Sequence, residues 1–294
     1  MEYTKLDNPH AHLPKPENWE ELKILLYQIA GNTDFLSATH FANRVEKCLS
    51  PSDLETIANS SLPRKYIKFK PIGNNTYLLK IRDLSTIIYV SQEIRTKQGF
   101  HITGECCDKT IEEGLDARKT VELIHRYNGK ALLEHPFTLD AVLIQYRLLN
   151  FDLDYEKIKL LHELLYMIDG VEVFNSMNTL WMAISNTHAK NFVRNWIKRN
   201  GIYVPQLAGG DEHYNPVGKT GNLLPEESLD FLLKATGSEI QEWRWQQYKN
   251  GNFKRKEKLT SPLEFAKYMI IPTIKRLIFK EEKDFKTSTK TKVI

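Results

Sequence analysis

From residue 109 onward, helical stretches and short apolar runs alternate in units of roughly 30 residues, the spacing of strand–helix units. This alternation dictates an α/β fold, because parallel strands need long crossover connections and helices supply them. KTIEEGLDARKTVELIHRYNG (109–129) reads as a helix closing on Asn128-Gly129, and KALLEHPF (130–137) as a buried strand. Residues 151–170 read as helix, GVEVFNS (170–176) as strand, 188–201 as helix, and IYVPQLAGGDEH (202–213) as strand then loop. Earlier, NWEELKILLYQIAG (18–31) puts Trp19, Leu22, Leu25, Leu26 and Ile29 on one helix face, with Gly31 as its expected end. DFLSATHF (34–41) reads as a short strand, and SPSDLETIANSSL (50–62) as a helix opening on an N-cap signal. Then the pattern changes: 66–70, 75–81 and 85–91 are β-rich runs split by turn residues.

A chain of 294 residues can bury the large core of a single barrel-type domain. Its 41 basic and 37 acidic side chains leave a charge of +4, too mild to imply nucleic acid by itself. No run approaches 18 consecutive apolar residues, so no membrane span is expected. The start, MEYTKLDNPHAHLPKP, lacks a basic region followed by an apolar one, so no signal peptide is expected and the cytoplasm is the default location. Three cysteines, Cys48, Cys106 and Cys107, form no framework spacing and are expected to be reduced. From 272 to 294 the chain becomes basic and Ser/Thr/Lys-rich, a tail expected to be partly disordered after a domain spanning 1–271.

Every polar cluster follows an apolar run, at the edge where α/β folds assemble function. Six of nine histidines stand at such ends: His10, His12, His40, His101, His135 and His213. In His10-Ala11-His12 the i, i+2 relation points both imidazoles to one side of an extended segment. Asp211 and His213 share that relation, with Glu212 between them facing away. Imidazole nitrogen and carboxylate oxygen suit zinc, manganese or iron, and Glu93, Glu172 and Asp211 supply carboxylates. Clustered divalent ions lower the pKa of water and neutralise phosphoryl oxygens.

The ordered segments NPHAHL, DFLSATHF, YVSQEI, GFHITG, GKALLEHPF, GVEVFN and GGDEHY, over roughly residues 8–218, resemble the polymerase and histidinol phosphatase superfamily. The resemblance implies a distorted (β/α)7 TIM-like barrel, here with a β-rich segment inserted after the second strand. It also implies two or three divalent ions (zinc, manganese or iron) and hydrolysis of phosphate esters. Carried over, His10, His12, Glu93 and Asp211 hold one ion. Glu93 bridges to a second held by His101 and His135, and His40 and His213 hold a third. A further ligand usually follows the first histidine pair, and Glu17 or Asn18 stands there. The chain departs from the family pattern in having Asn8 for the leading Asp, THF for TDH and GGD for GSD.

Glu172 and Asn175 suit an orienting role behind the ligands, since their strand carries one acid and no histidine. A buried salt-bridged Glu172 is the competing reading. Arg44, Arg95, Lys97 and Lys219 follow the ligand segments and are candidate phosphate contacts, although basic loop residues are commonly just solvated. NPVGKTG (215–221) lacks the spacing of a nucleotide phosphate loop, and no G-x-S-x-G is present. The acids Glu105 and Asp108 flank Cys106-Cys107, which argues against a catalytic thiol. The segment 242–258 mixes aromatic with basic residues; a solvated amphipathic helix and loop is favoured over a single-strand-binding surface. Residues 41–90 read as an insertion or cap.

Three functions are therefore weighed. The first is a metal-dependent phosphoesterase acting on a small phosphate monoester or nucleotide. The second is a nuclease or nucleic-acid phosphatase using the same ions. The third is a degenerate, non-catalytic metal-binding module.

Overall fold

The structure is a computed structural model, described for residues 3–42, 48–60, 67–137, 145–147, 150–152, 155–178, 183–211, 218–226, 234–261 and 263. The chain divides into two compact units, Met1–Leu259 and Thr260–Ile294, and the elements below belong to the first. Arg44, Glu212, His213 and the 272–294 tail lie outside the described residues.

One large sheet runs in the order β11-β10-β7-β6-β5-β2-β1-β12-β13. Its strands are β1 (Tyr3–Asn8), β2 (Phe35–Phe41), β5 (Leu84–Arg95), β6 (His101–Glu105), β7 (Lys130–Glu134), β10 (Gly170–Asn175), β11 (Gln206–Gly209), β12 (Gly221–Pro225) and β13 (Lys254–Lys256). Helices α1 (Trp19–Asn32) and α5 (Ala183–Asn200) lie between consecutive parallel strands, α3 (Ala117–Arg126) joins β6 to the antiparallel β7, α4 (Tyr155–Leu164) lies between β7 and β10, and α6 (Gly237–Lys249) follows β12. The sheet curls into a nearly closed barrel. At the seam between β11 and β12 the Asn222 side chain donates to Ala208 O (3.1 Å) and accepts from Ala208 N (2.9 Å), standing in for a strand ladder. Beyond it Asp211 N donates to His10 O at 2.8 Å.

The pairing is not that of seven uniform β/α units. β1, β2, β5, β7, β10 and β11 run in one direction, but β6 is antiparallel to both β5 and β7, and β12 is antiparallel to β1. The reason is length. Only residues 96–100 separate β5 from β6, a hairpin loop closed by Thr96 N to Phe100 O at 2.8 Å and turned at Gly99 (φ +86°). No crossover fits in that span. Because β6 runs backwards, its first residue, His101, stands at the edge where the parallel strands end.

The β-rich stretch after β2 contains α2 (Pro51–Asn59), β3 (Ile67–Gly73) and β4 (Thr76–Ile81). β4 pairs with Leu84–Tyr89, the half of β5 remote from Glu93, while β6 takes Ser91–Arg95. β3 and β4 therefore extend the sheet, whereas the start of the segment meets the ligand edge, where Cys48 Sγ lies 3.9 Å from His12 Nδ1 and Leu49 N donates to Leu13 O at 2.8 Å.

Amphipathic helices cover the outside of the sheet. α1 buries Leu22, Leu25, Leu26, Ile29 and Ala30, and α3 buries Ala117, Thr120, Val121 and Ile124 at helical spacing. Three readings change. Residues 109–116 are not helical: Gln92 accepts from Ile111 N, Gly114 N donates to Arg95 O, and Asp116 caps α3 from Arg118 N onward. α1 runs past Gly31 to Asn32, with no Cβ-sized obstacle near that glycine to explain its choice. Residues 254–256 form strand β13 on β12 instead of a loop. Among the described residues no helix is long and apolar enough to cross a membrane.

Candidate metal centre

Strand direction and alternation place the site. β2, β5, β7, β10 and β11 deliver their last residues to one edge, and β6 delivers its first. Phe41 and Glu93 sit in register on the inward face, so the Phe41 ring stacks on His12 at 4.3 Å while Glu93 reaches the histidines.

Six side chains meet there. His10 Nε2 and His12 Nε2 lie 3.1 Å apart, and Glu93 Oε2 is 2.9 Å from His12 Nε2 and 4.0 Å from His10 Nε2. Glu93 Oε1 contacts His101 Nδ1. Asp211 Oδ1 is 3.5 Å from His10 Nε2 and 3.7 Å from His12 Nε2, and its Oδ2 is 4.0 Å from His135 Nε2. Three overlapping groups could each hold an ion: His10–His12–Glu93, Glu93–His101–His135, and His10–His135–Asp211. Glu93 belongs to two of them, one oxygen toward each, as a bridging carboxylate requires.

Behind these six side chains stand Glu172 and Asn175. Glu172 Oε1 is 3.3 Å from His10 Nδ1, which directs Nε2 toward the cluster. Glu172 Oε2 accepts from His135 N (3.0 Å) and Asn175 Nδ2 (3.1 Å), and Asn175 Nδ2 also reaches Asp211 Oδ2 at 3.0 Å. Two of the six hold left-handed backbone, His135 (φ +22°) and Asp211 (φ +50°), uncommon for non-glycine residues and concentrated at functional sites. The sharp turn thus falls on Asp211. Gly209 is required for space: a Cβ there would stand 1.8 Å from Glu172 Oε1.

The sequence reading missed Glu134. It is fully buried, its Oε1 lies 3.4 Å from His10 Nδ1 and accepts from Thr103 Oγ1, and its Oε2 has no hydrogen-bond partner. The signal was available: an acid at the inward terminal position of the apolar run ALLE.

The other candidates fall elsewhere. His40 alternates to the outer face of β2, lines a pocket with Gln92 and Cys107, and has an unpartnered Nδ1. Burial lowers its pKa. Glu17 and Asn18 are exposed beside α1, where Asn18 accepts from Glu21 N as the helix cap. Arg95 is exposed next to His101, where its charge opposes protonation of that ring; Lys97 is exposed and Lys219 half-buried. Cys106 and Cys107 are free thiols whose pKa burial pushes up to about 12, as expected of inert cysteines.

The donor set fits divalent ions on electrostatic grounds. Four carboxylates (Glu93, Glu134, Glu172, Asp211) face four imidazoles (His10, His12, His101, His135), and all but Asp211 and His101 are buried. Unless positive charge is added, that concentration of anions is strongly unfavourable. Without ions, protons must serve. Burial and the neighbouring acids then push the Glu134 carboxyl well above its usual range. Burial depresses His10, yet Glu134, Asp211 and Glu172 carry it well above the ordinary imidazole value. Burial raises Glu93, but hydrogen bonds from His101 and His12 outweigh it and hold it well below. His101 Nε2 is buried with no hydrogen-bond partner, an orphan an ion would satisfy.

No protein-family profile matches the chain, and no curated protein matches it significantly. Solved structures do. The fold is similar to that of PsfC from Pseudomonas syringae PB-5123, with a TM-score of 0.54 and 14% identity over 94% of this chain and 98% of that one. The lesion-specific endonuclease PfuEndoQ from Pyrococcus furiosus aligns at a TM-score of 0.48 and 12% identity, over 85% of this chain and 57% of its own length. Endonuclease Q in complex with a 27-mer duplex carrying an abasic lesion aligns at 0.44 and 13% identity, over 78% of this chain and 55% of that one. The first of these supports a common fold.

Proposed function

We propose that the protein is a metal-dependent hydrolase of phosphate esters. One observation carries the reading: His10 Nε2 and His12 Nε2, 3.1 Å apart, share a focus with the Glu93 and Asp211 carboxylates at the ligand edge of a barrel. His10, His12, Glu93 and Asp211 would hold one ion, and Glu93, His101 and His135 a second. Bound there, divalent ions activate water and neutralise charge on the phosphoryl oxygens. The chain's own residues set the site up for this. Glu172 and Glu134 hold the His10 ring by its Nδ1, and Asn175 ties Glu172 to Asp211. Arg95 stands exposed at the rim beside His101, where it would meet a phosphate group.

The ordered resemblance to the polymerase and histidinol phosphatase superfamily supports the same chemistry, and the substrate we propose is a small phosphate monoester or nucleotide. Within residues 242–258, Arg244, Trp245 and Tyr248 are buried in the core and offer no surface to a strand, while Lys249, Lys254, Lys256 and Lys258 stay exposed, so a nucleic-acid substrate is the second reading. Elemental analysis of the purified protein, with assays on phosphomonoester, phosphodiester and DNA panels after manganese or zinc loading, tests the reading. Absence of bound transition metal together with inactivity on every panel refutes it. A steep fall of affinity with salt would move the substrate to nucleic acid.

A further inference from the structure

Around the barrel, β12 separates β1 from β11: Asn222 pairs with Asp7 on one side, and its side chain reaches Ala208 on the other. Nearer the ligand edge the ends of β1 and β11 meet directly, and Asn8 makes the joint. This fully buried side chain accepts at Oδ1 from Gly210 N (3.0 Å), 202 residues away along the chain. The same oxygen accepts from His10 N at 3.3 Å, an Asx turn that bends the chain out of β1 into the histidine pair. Backbone N–H groups only donate, so the two partners fix that end of the amide as its oxygen.

The turn that carries Asp211 is clamped from two sides. Ser176 N donates to Gly209 O at 3.1 Å, and Ser176 Oγ donates to Gly210 O. Asp211 N donates to His10 O at 2.8 Å. The peptide between Gly209 and Gly210 is therefore held by Ser176 and Asn8, and the next one by Ser176 and His10. Two successive glycines lose more freedom on ordering than any other pair, so the turn depends on such outside bonds.

Precision at this turn decides the site. It leaves Asp211 in left-handed backbone (φ +50°) and delivers Oδ1 3.5 Å from His10 Nε2. Two donors to one tetrahedral ion, with bonds of about 2.0–2.2 Å, stand roughly 3.3–3.5 Å apart. A drift of about half an ångström would take Asp211 out of that range. An amide also suits the charge, because it holds two N–H groups without adding a fifth buried anion to Glu93, Glu134, Glu172 and Asp211.

We infer that Asn8 is a positioning residue of the metal centre. It ties the turn that carries Asp211 to the strand end that carries His10, and so sets the distance between two ligands of one ion. The inference rests on the metal reading above.

Three variants of the full chain test it. Asn8→Leu matches the side chain in shape but accepts nothing, Asn8→Asp keeps the acceptor, and Asn222→Leu opens the neighbouring seam without removing a bond of the turn. Chelator competition reads zinc and manganese affinity, and NMR reads amide exchange at Asp211 in the metal-free protein. Asn8→Leu should lose about 10–100-fold in affinity and speed Asp211 exchange at least about tenfold, although Asn8 does not itself bond that amide. Asn8→Asp should stay within about threefold of native affinity or bind more tightly, with native exchange. Asn222→Leu should lower Tm while affinity stays within about threefold. A packing role predicts the opposite order, with leucine tolerated and the buried carboxylate not. Should Asn8→Leu not fold, Asn8→Ala, which removes the acceptor without adding bulk, is read in its place. A native protein that binds neither ion refutes the metal reading, and this inference falls with it. With native binding intact, three results overturn this inference alone: unchanged affinity and exchange in Asn8→Leu, an equal loss in Asn8→Asp, or an equal loss in Asn222→Leu.

Discussion

Gly209→Ala is the sharpest perturbation of the metal centre, because it alters no ligand. The added methyl would stand 1.8 Å from Glu172 Oε1, 2.9 Å from Glu172 Cδ and 3.1 Å from His10 Cβ. Since non-bonded heavy atoms settle near 3.5–4.0 Å, the carboxylate must retreat by roughly 1.5–2 Å. It has nowhere free to go: Oε1 faces His10 Nδ1 at 3.3 Å, and Oε2 accepts from His135 N and Asn175 Nδ2. Overpacking costs about 1–3 kcal/mol and a disturbed charged hydrogen bond about 1.5–3 kcal/mol, so a loss of roughly 3–5 kcal/mol is expected. For a domain of this size that is a fall in Tm of about 6–20 °C. Metal affinity should drop roughly 10–100-fold, the usual effect of losing an orienting partner behind a ligand. The sign is diagnostic. Gly209 lies outside the left-handed region, so elsewhere in a strand the same change would be neutral or stabilising by about 0.5–1 kcal/mol. Thermal unfolding and chelator-competition titration read both quantities. Native-like Tm and metal affinity in Gly209→Ala would mean that Glu172 does not hold His10 as described.

Other expectations follow from the same geometry. Asp211→Ala and His135→Ala should each lower kcat/KM at least about 100-fold on any substrate found while the far-ultraviolet circular dichroism stays native, and full activity in either variant would void the ligand assignment. Saturating manganese or zinc at 100 times its Kd should stabilise the protein by about 2.7 kcal/mol, seen as a rise in Tm that chelator reverses; an unchanged Tm argues that the acid cluster is neutralised by protons instead. Arg244→Met leaves Asp7 and Glu105 buried without their cation and should cost about 3–5 kcal/mol in denaturant unfolding, whereas a surface arginine would cost almost nothing. Because burial lifts the folded-state pKa of Glu105 to about 7 from an ordinary value of 4.5, its contribution to stability is fully present below pH 4.5 and is lost as pH rises through 7. Comparing native protein with Glu105→Gln across pH 4–8 should show that slope flattened in the variant, and identical pH profiles would contradict it.

Much of the ligand edge is legible in the sequence because it rests on local rules. The His10-Ala11-His12 alternation and the position of Glu93 and His135 at the ends of apolar runs are visible as spacing, and the structure brings them together with His101 and Asp211. His101 was found for an incomplete reason. It stands at the start of a strand, and only the antiparallel course of β6 carries it to the site. His40 shows the limit of the same rule: it is also at a strand end, but period-2 alternation turns it outward while Phe41 turns in. Glu134 went unnoticed because its partners, Thr103 and His10, come from other strands.

By itself the sequence determined the class of fold and the chemistry of one edge, since helical and strand periodicities and residue types are properties of neighbours along the chain. Only the tertiary structure decided which glycine makes room for Glu172, and that Arg244 is a buried counter-ion to Asp7 and Glu105 rather than a surface contact. Those outcomes depend on contacts between residues up to 237 positions apart, as Asp7 and Arg244 are, and burial sets their energies. Neither is written in local pattern.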